Sequence, residues 1–178
     1  NQAAQLASQV ACAEVWERSG DWSQAINAYS NVLNQPAESD VLTDAALGIA
    51  RSAFAADDPV LALPALQQTL NNTKTPALRL PLLSMQIRAL RQLDQPVAYR
   101  AAIAERDLLA DEVPNVAWSA FIDDAGQSRS NGEPEVAVDL LQRTLDLPIT
   151  NEQRASVLVQ LGAALLDLSR INEAAKRF

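Results

Sequence analysis

"WERSGDWSQAINAYSNVL", residues 16–33, sets two runs of helix-forming residues on either side of Gly20-Asp21. Glycine lets a chain pass through left-handed backbone angles at the end of one helix, and an acid beside it can cap the next. The stretch therefore reads as the bend of a helical hairpin, with Trp16 before the bend and Trp22, Ala25 and Tyr29 after it. One hairpin has an apolar face and nothing of its own to bury it against.

The rest of the chain supplies the cover by repetition. Pro59, Pro96, Pro134 and Ile171 stand where Trp22 does, at successive intervals of 37, 37, 38 and 37 residues, in "ADDPVLALPALQQTL", "LDQPVAYRAAIAE", "NGEPEVAVDLLQRTL" and "LSRINEAAKRF". Apolar residues travel with the period: Tyr29, Leu66, Ile103, Leu141 and Phe178 form one series, and Ala25, Ala62, Ala137 and Ala174 another. The third copy slips, with Tyr99 where alanine is expected. So steady a period is the mark of a stacked array.

Each copy has a local reason to bend. Gly20 and Gly132 permit the left-handed turn, Asp57 or Asp58 can cap the helix that follows, and Pro59, Pro96 and Pro134 fit the first turn of a helix, where a missing N–H costs nothing. Polar, proline-bearing breakers, "NQPAESD", "NNTKTP", "DEVPN" and "LPITNEQ", separate the copies. The expected helix pairs are 5–19 with 22–34, 42–56 with 59–71, 81–93 with 97–111, 116–130 with 134–146, and 152–168 with 171–178. Pro64 should distort or shorten the helix it falls in.

Composition agrees. A hydrophobic content of 48% over 178 residues is ample for a core, while 4% aromatics and 5 glycines favour helix over sheet, so the fold class is all-α. The net charge of -8, spread along the chain, opposes binding to nucleic acid or to anionic lipid. No apolar run is long enough to insert into a membrane, and no basic segment leads into an apolar one as in a signal peptide. The chain opens on Asn1 and stops inside the helical pattern "NEAAKRF", so it reads as a piece of a longer protein. Its one cysteine, Cys12, can form no internal disulfide and falls at a small apolar position, where a buried thiol is expected.

The residues carry a resemblance to the tetratricopeptide repeat (TPR) family. The first copy offers Ala13, Trp16, Gly20, Trp22, Ala25, Tyr29 and Pro36; the fifth offers Leu161, Gly162, Leu165, Ala174 and Phe178. The middle copies have proline for the aromatic at the turn, and the period is longer than the usual 34 or so residues. The resemblance implies a right-handed α-α superhelical solenoid spanning residues 1–178, in units of about 5–36, 42–73, 78–112, 115–148 and 152–178. It also implies a concave face lined by the first helix of each pair. Trp16 and Trp22, at repeat-defining positions, are expected in the core. The texture further resembles the helical scaffolds of bacterial polysaccharide or pilus export proteins, which implies a periplasmic setting within a larger membrane-associated protein.

Function in such an array is recognition. The chain has no histidine, which removes the commonest general base and neutral metal ligand, and the paired acids Asp57-Asp58 and Asp123-Asp124 are better placed to cap than to catalyse. Neither enzyme activity, cofactor nor metal is expected. Projecting the first helices onto the inner face gives Glu14 and Glu17 in the first unit and Asp44 and Arg51 in the second, then Arg88 and Arg91 in the third and Arg129 in the fourth. Four arginines on an acidic chain suit carboxylates, which a planar guanidinium grips at two points. The expected partner is a protein or peptide with an acidic segment. Glu14, Glu17 and Asp44 would make the groove bipolar. The same arginines also suit pairing with acids of neighbouring units. Self-association through uncovered terminal hairpins is a further expectation.

Overall fold

Residues 2–170 are described by the computed structural model, with side chains from residue 4 onward. They form α-helices joined by short turns, with no strand among the described residues. The chain divides into two compact units, Asn1–Asp107 and Leu108–Phe178.

The first unit holds α1 (Gln2–Ser19), α2 (Trp22–Leu33), α3 (Ser39–Ala55), a 3₁₀ turn (Pro59–Leu61), α4 (Ala62–Asn72), α5 (Pro76–Gln92) and most of α6 (Pro96–Ala110). Its core is built from α2 on α3 and α4 on α5. Tyr29, Val32 and Leu33 of α2 are buried, and α3, which packs on α2, buries a run of small residues, Ala45, Ala46, Gly48, Ala50 and Ala53. The approach is close enough that a Cβ on Gly48 would lie 2.3 Å from the Tyr29 ring. Leu66 and Leu70 of α4, with Leu80, Leu82, Leu83 and Leu90 of α5, extend the core. Each such large side chain, taken from water, contributes about 1.5–3 kcal/mol.

The second unit holds α7 (Pro114–Ser130), α8 (Pro134–Asp146) and α9 (Asn151–Asp167). Phe121, Leu141, Leu161 and Leu165 are fully buried there. A capping box opens α9: the Thr150 hydroxyl accepts from the Gln153 backbone N–H, and the Gln153 side chain accepts from the Thr150 N–H.

The sequence period is written into the backbone. Positive φ occurs at Gly20 (80°), Asp57 (57°) and Asp94 (50°) in the first unit, and at Gly132 (77°) and Ser169 (57°) in the second. These five follow the intervals of the Trp22 series. Each closes the first helix of a hairpin in one way: the next residue's N–H reaches back to the carbonyl of Trp16, Ala53, Leu90, Ser128 or Leu165, at 2.9–3.1 Å. That is the Schellman closure, and it satisfies carbonyls the helix end leaves open.

Several expectations are corrected in detail. Asp57 takes up the left-handed geometry instead of capping, and Asp58 precedes the 3₁₀ turn without a side-chain cap bond; among these turn acids it is Asp21 that caps, accepting from the Gln24 N–H at 3.2 Å. The helix that holds Pro64 is shortened, as expected: a 3₁₀ turn takes up Pro59–Leu61 and α4 begins at Ala62, which leaves Pro64 in its first turn. The fifth helix starts at Pro76, earlier than expected, and Pro81 lies inside it, where its ring denies a hydrogen bond to the Ala77 carbonyl. Cys12 is exposed and Trp16 is 44% exposed, because nothing described packs on the outer side of α1. The last expected helix, 171–178, lies outside the described residues.

Candidate functional site

In the first unit the last turn of α1 and the fourth turn of α3 bring Glu17 and Arg51 together. Arg51 donates from Nε to Glu17 Oε1 at 2.6 Å and from a terminal nitrogen to Oε2 at 3.0 Å, a two-point grip. The Tyr29 hydroxyl donates to Glu17 Oε2 at 2.8 Å. One turn earlier on α1, Glu14 pairs with Arg18 at 3.1 Å. These four charged side chains, with Trp22 and Ala55, line an open cavity of about 480 Å³.

The electrostatics follow from the contacts. Burial pushes the Glu17 carboxyl up, but the hydrogen bonds from Arg51 and Tyr29 and the Arg51 charge outweigh it, and its pKa falls below the usual value. Burial, and then the Glu17 carboxylate, raise the Tyr29 phenol far above its ordinary range. The bond to Glu17 raises Arg51 further. At neutral pH the cluster is an ion pair with a neutral phenol donating to it.

The next step along the unit repeats this geometry with other chemistry. Arg88 lies over the Phe54 ring, 4.0 Å from its centroid. Phe54 holds the place on α3 that Glu17 holds on α1, and Arg88 holds on α5 the place of Arg51 on α3. Both pairs span 34 residues, one period less nearly a turn. Arg91 is half-buried in the last turn of α5. Asp44 is exposed on α3; partial loss of hydration and the Asp40 charge raise its carboxyl.

In the second unit Arg129 donates from Nε to Asp167 Oδ2 at 2.7 Å, joining α7 to α9. Arg143 of α8 pairs with Asp111 at 3.0 Å. On α7 a Cβ on Gly126 would meet nothing within 4 Å, and on α9 Val159 and Leu166 are exposed.

The sequence-derived set is thus divided. Glu14, Glu17 and Arg51 come together at one cavity, and Glu17 and Arg51 neutralise each other there. Asp44, Arg88 and Arg91 lie farther along the same unit, and Arg129 belongs to the other. Sequence reasoning missed Tyr29 as a donor to Glu17, Phe54 as the platform for Arg88, Asp167 as the acceptor for Arg129, and Arg18 and Trp22 as cavity walls. Phe54 and Arg88 are 34 residues apart, as are Glu17 and Arg51, and that shared spacing was the signal that could have found the Phe54–Arg88 contact. Among the described residues, no three Cys, Asp or Glu side chains gather as a metal site, and no helix is long and apolar enough to cross a membrane.

No protein-family model and no curated protein matches the chain. Solved structures do. Nearly identical TPR-like repeats assigned to a Podosopora anserina kinesin light chain align with a TM-score of 0.63 at 18% identity, covering 98% of this chain and 92% of that one. The fold is TPR-like. A point variant of those repeats gives a TM-score of 0.65 with 99% of this chain covered, and the MamA protein gives 0.55 at 18% identity, covering 97% of this chain and 87% of its own. In TPR-like terms, α1, α3, α5, α7 and α9 are the first helices of their hairpins. The Glu17–Arg51, Phe54–Arg88 and Arg129–Asp167 contacts therefore all join consecutive first helices.

Proposed function

We propose that the chain is a protein-interaction module whose inner face receives an acidic segment of a partner protein or peptide, with Arg88 and Arg91 as the principal contacts. The observation that carries this is the Arg88–Phe54 stack. Stacking fixes the orientation of a guanidinium, so a stacked arginine loses little rotamer entropy when it meets a carboxylate. Arg51 and Arg129 have carboxylate acceptors within the fold and serve to register the helices. Glu14 and Asp44, toward the first helix, bias the orientation in which an acidic segment lies.

The test is fluorescence anisotropy with labelled acidic and charge-reversed peptides. Binding of the acidic set, weakened by salt and abolished by Arg88→Glu with Arg91→Glu at unchanged helicity, is expected. Equal binding by the doubly substituted chain would remove the proposal. An export role, in which the face guides a charged polymer, is distinguished in the same titration: an anionic polysaccharide that outcompetes every peptide would favour it.

A further inference from the structure

α1 carries a face of small and apolar residues that its equivalents in the same unit bury. Ser8, Ala11, Cys12, Val15 and Trp16 are all exposed, Val15 to 61%. One period on, the corresponding residues of α3 are Ala45, Gly48, Ile49, Ser52 and Ala53, and every one is buried. A further period on, α5 buries Leu82, Ala89 and Leu90 and half-buries Met85 and Gln86 at these places. Toward the hairpin interior the three helices agree: Leu6, Thr43 and Leu80 are buried, as are Ala13, Ala50 and Ile87.

What α3 and α5 have, and α1 lacks among the described residues, is the second helix of the hairpin before. α2 packs on α3 and α4 on α5. Tyr29 of α2 stands directly over Gly48, and Ile49 shares a small cavity with Ile26, Ser30 and Leu33 of α2. The same face is thus an established interface at two successive steps, and α1 presents it uncovered.

We infer that the outer face of α1 is a stacking face whose occupant is an amphipathic helix of the α2 kind, the second helix of a further helical hairpin. The face itself defines the occupant's chemistry. Its five positions carry no charge and a single hydroxyl, at Ser8, and α3 buries a serine, Ser52, on the same face. The occupant therefore meets it with an apolar stripe and no ion pair. Tyr29 is matched by Gly48, and its equivalent Leu66 is matched in register by Met85. α1 has Ala11 at that position, and a side-chain methyl there would collide with a tyrosine ring placed like that of Tyr29. Where α2 carries Tyr29, the occupant thus carries an aliphatic residue such as leucine. This surface is separate from the inner face and owes nothing to arginine.

Cys12, the one thiol of the chain, reports on the face directly. The first test adds one period in phase: a copy of residues 2–38, with Cys12→Ala and Tyr29→Leu in the copy, is fused ahead of residue 2. Alkylation of the original Cys12 is expected to slow at least about tenfold, as for a group reached only through local opening. Keeping Tyr29 in the copy should give weaker protection. Placing Val15→Asp in the recipient helix should restore fast labelling. A second measurement leaves the chain unaltered: a peptide of residues 22–35 with Tyr29→Leu, stapled on its outer side, is added in trans. Dose-dependent protection of Cys12, insensitive to salt, is expected. Unchanged alkylation in both formats overturns the inference. So does a dimer of the unaltered chain, seen by sedimentation, that Val15→Asp abolishes, since the occupant is then a second copy.

Discussion

Glu17 is held by donors from two other helices, and that gives its titration a definite sign. Its folded pKa lies below the ordinary 4.5, so its stabilising contribution is complete above 4.5 and is lost as the pH falls through the lower folded value. Glu17→Gln should cost about 1–2 kcal/mol at neutral pH, with the gap from the parent closing in acid, as measured by urea unfolding across a pH series. Asp44 has the opposite sign. Its folded pKa is raised above 3.8, so its ionised form opposes folding at neutral pH and the penalty lifts as the pH falls. Asp44→Asn should raise the urea midpoint at pH 7 and make no difference in strong acid. At Gly48 the constraint is steric: an added Cβ lies 2.3–2.7 Å from Tyr29 ring atoms, all fully buried, so neither partner can give way cheaply. Gly48→Ala should cost about 1–3 kcal/mol, and Tyr29→Leu should recover part of that loss in the double variant, a non-additivity read in the same unfolding experiment.

The helix ends show how one backbone solution is reached with different residues. Gly20 and Gly132 adopt positive φ at no steric cost, whereas Asp57, Asp94 and Ser169 adopt it against the Cβ. Asp94→Gly should therefore gain about 0.5–1 kcal/mol, and Gly20→Ala should lose about 1–2 kcal/mol, both read as shifts in thermal midpoint. This is also the scale at which the sequence was most legible. The Trp22, Pro59, Pro96 and Pro134 series located the starts of α2, α6 and α8 and of the 3₁₀ turn that leads into α4, because proline at a first turn and glycine before it are local devices that need no tertiary context. The start of α5 was hidden by Pro81, a breaker by every local rule, which the packing of Leu80, Leu82 and Leu83 overrides. The burial of Cys12 and Trp16 was misjudged for the converse reason: helical pattern says which face is apolar, not whether a neighbour covers it. At the site, the arginines were visible as residues, but their partners Glu17, Phe54 and Asp167 appear only once the period fixes which turns of consecutive first helices meet.

At the scale of the whole chain the stability of a repeat protein is close to a sum of unit terms and nearest-neighbour terms, so a defect should stay near its origin. The two compact units, Asn1–Asp107 and Leu108–Phe178, give that expectation a boundary. Leu141 of α8 is fully buried, at the position that Tyr29 and Leu66 hold in the first unit. Truncating it leaves a cavity that neighbouring helices can only partly close, a loss of about 2–5 kcal/mol for Leu141→Ala. Native-state hydrogen exchange should place that loss on the amides of α7, α8 and α9, while α2 and α3, held by Tyr29 over Gly48, keep their protection. A uniform loss across α1 to α9 would instead mean that the units open as one. The unfolding curves discussed above would then report a single global equilibrium, whereas local opening requires each curve to be assigned to the unit that carries the substitution.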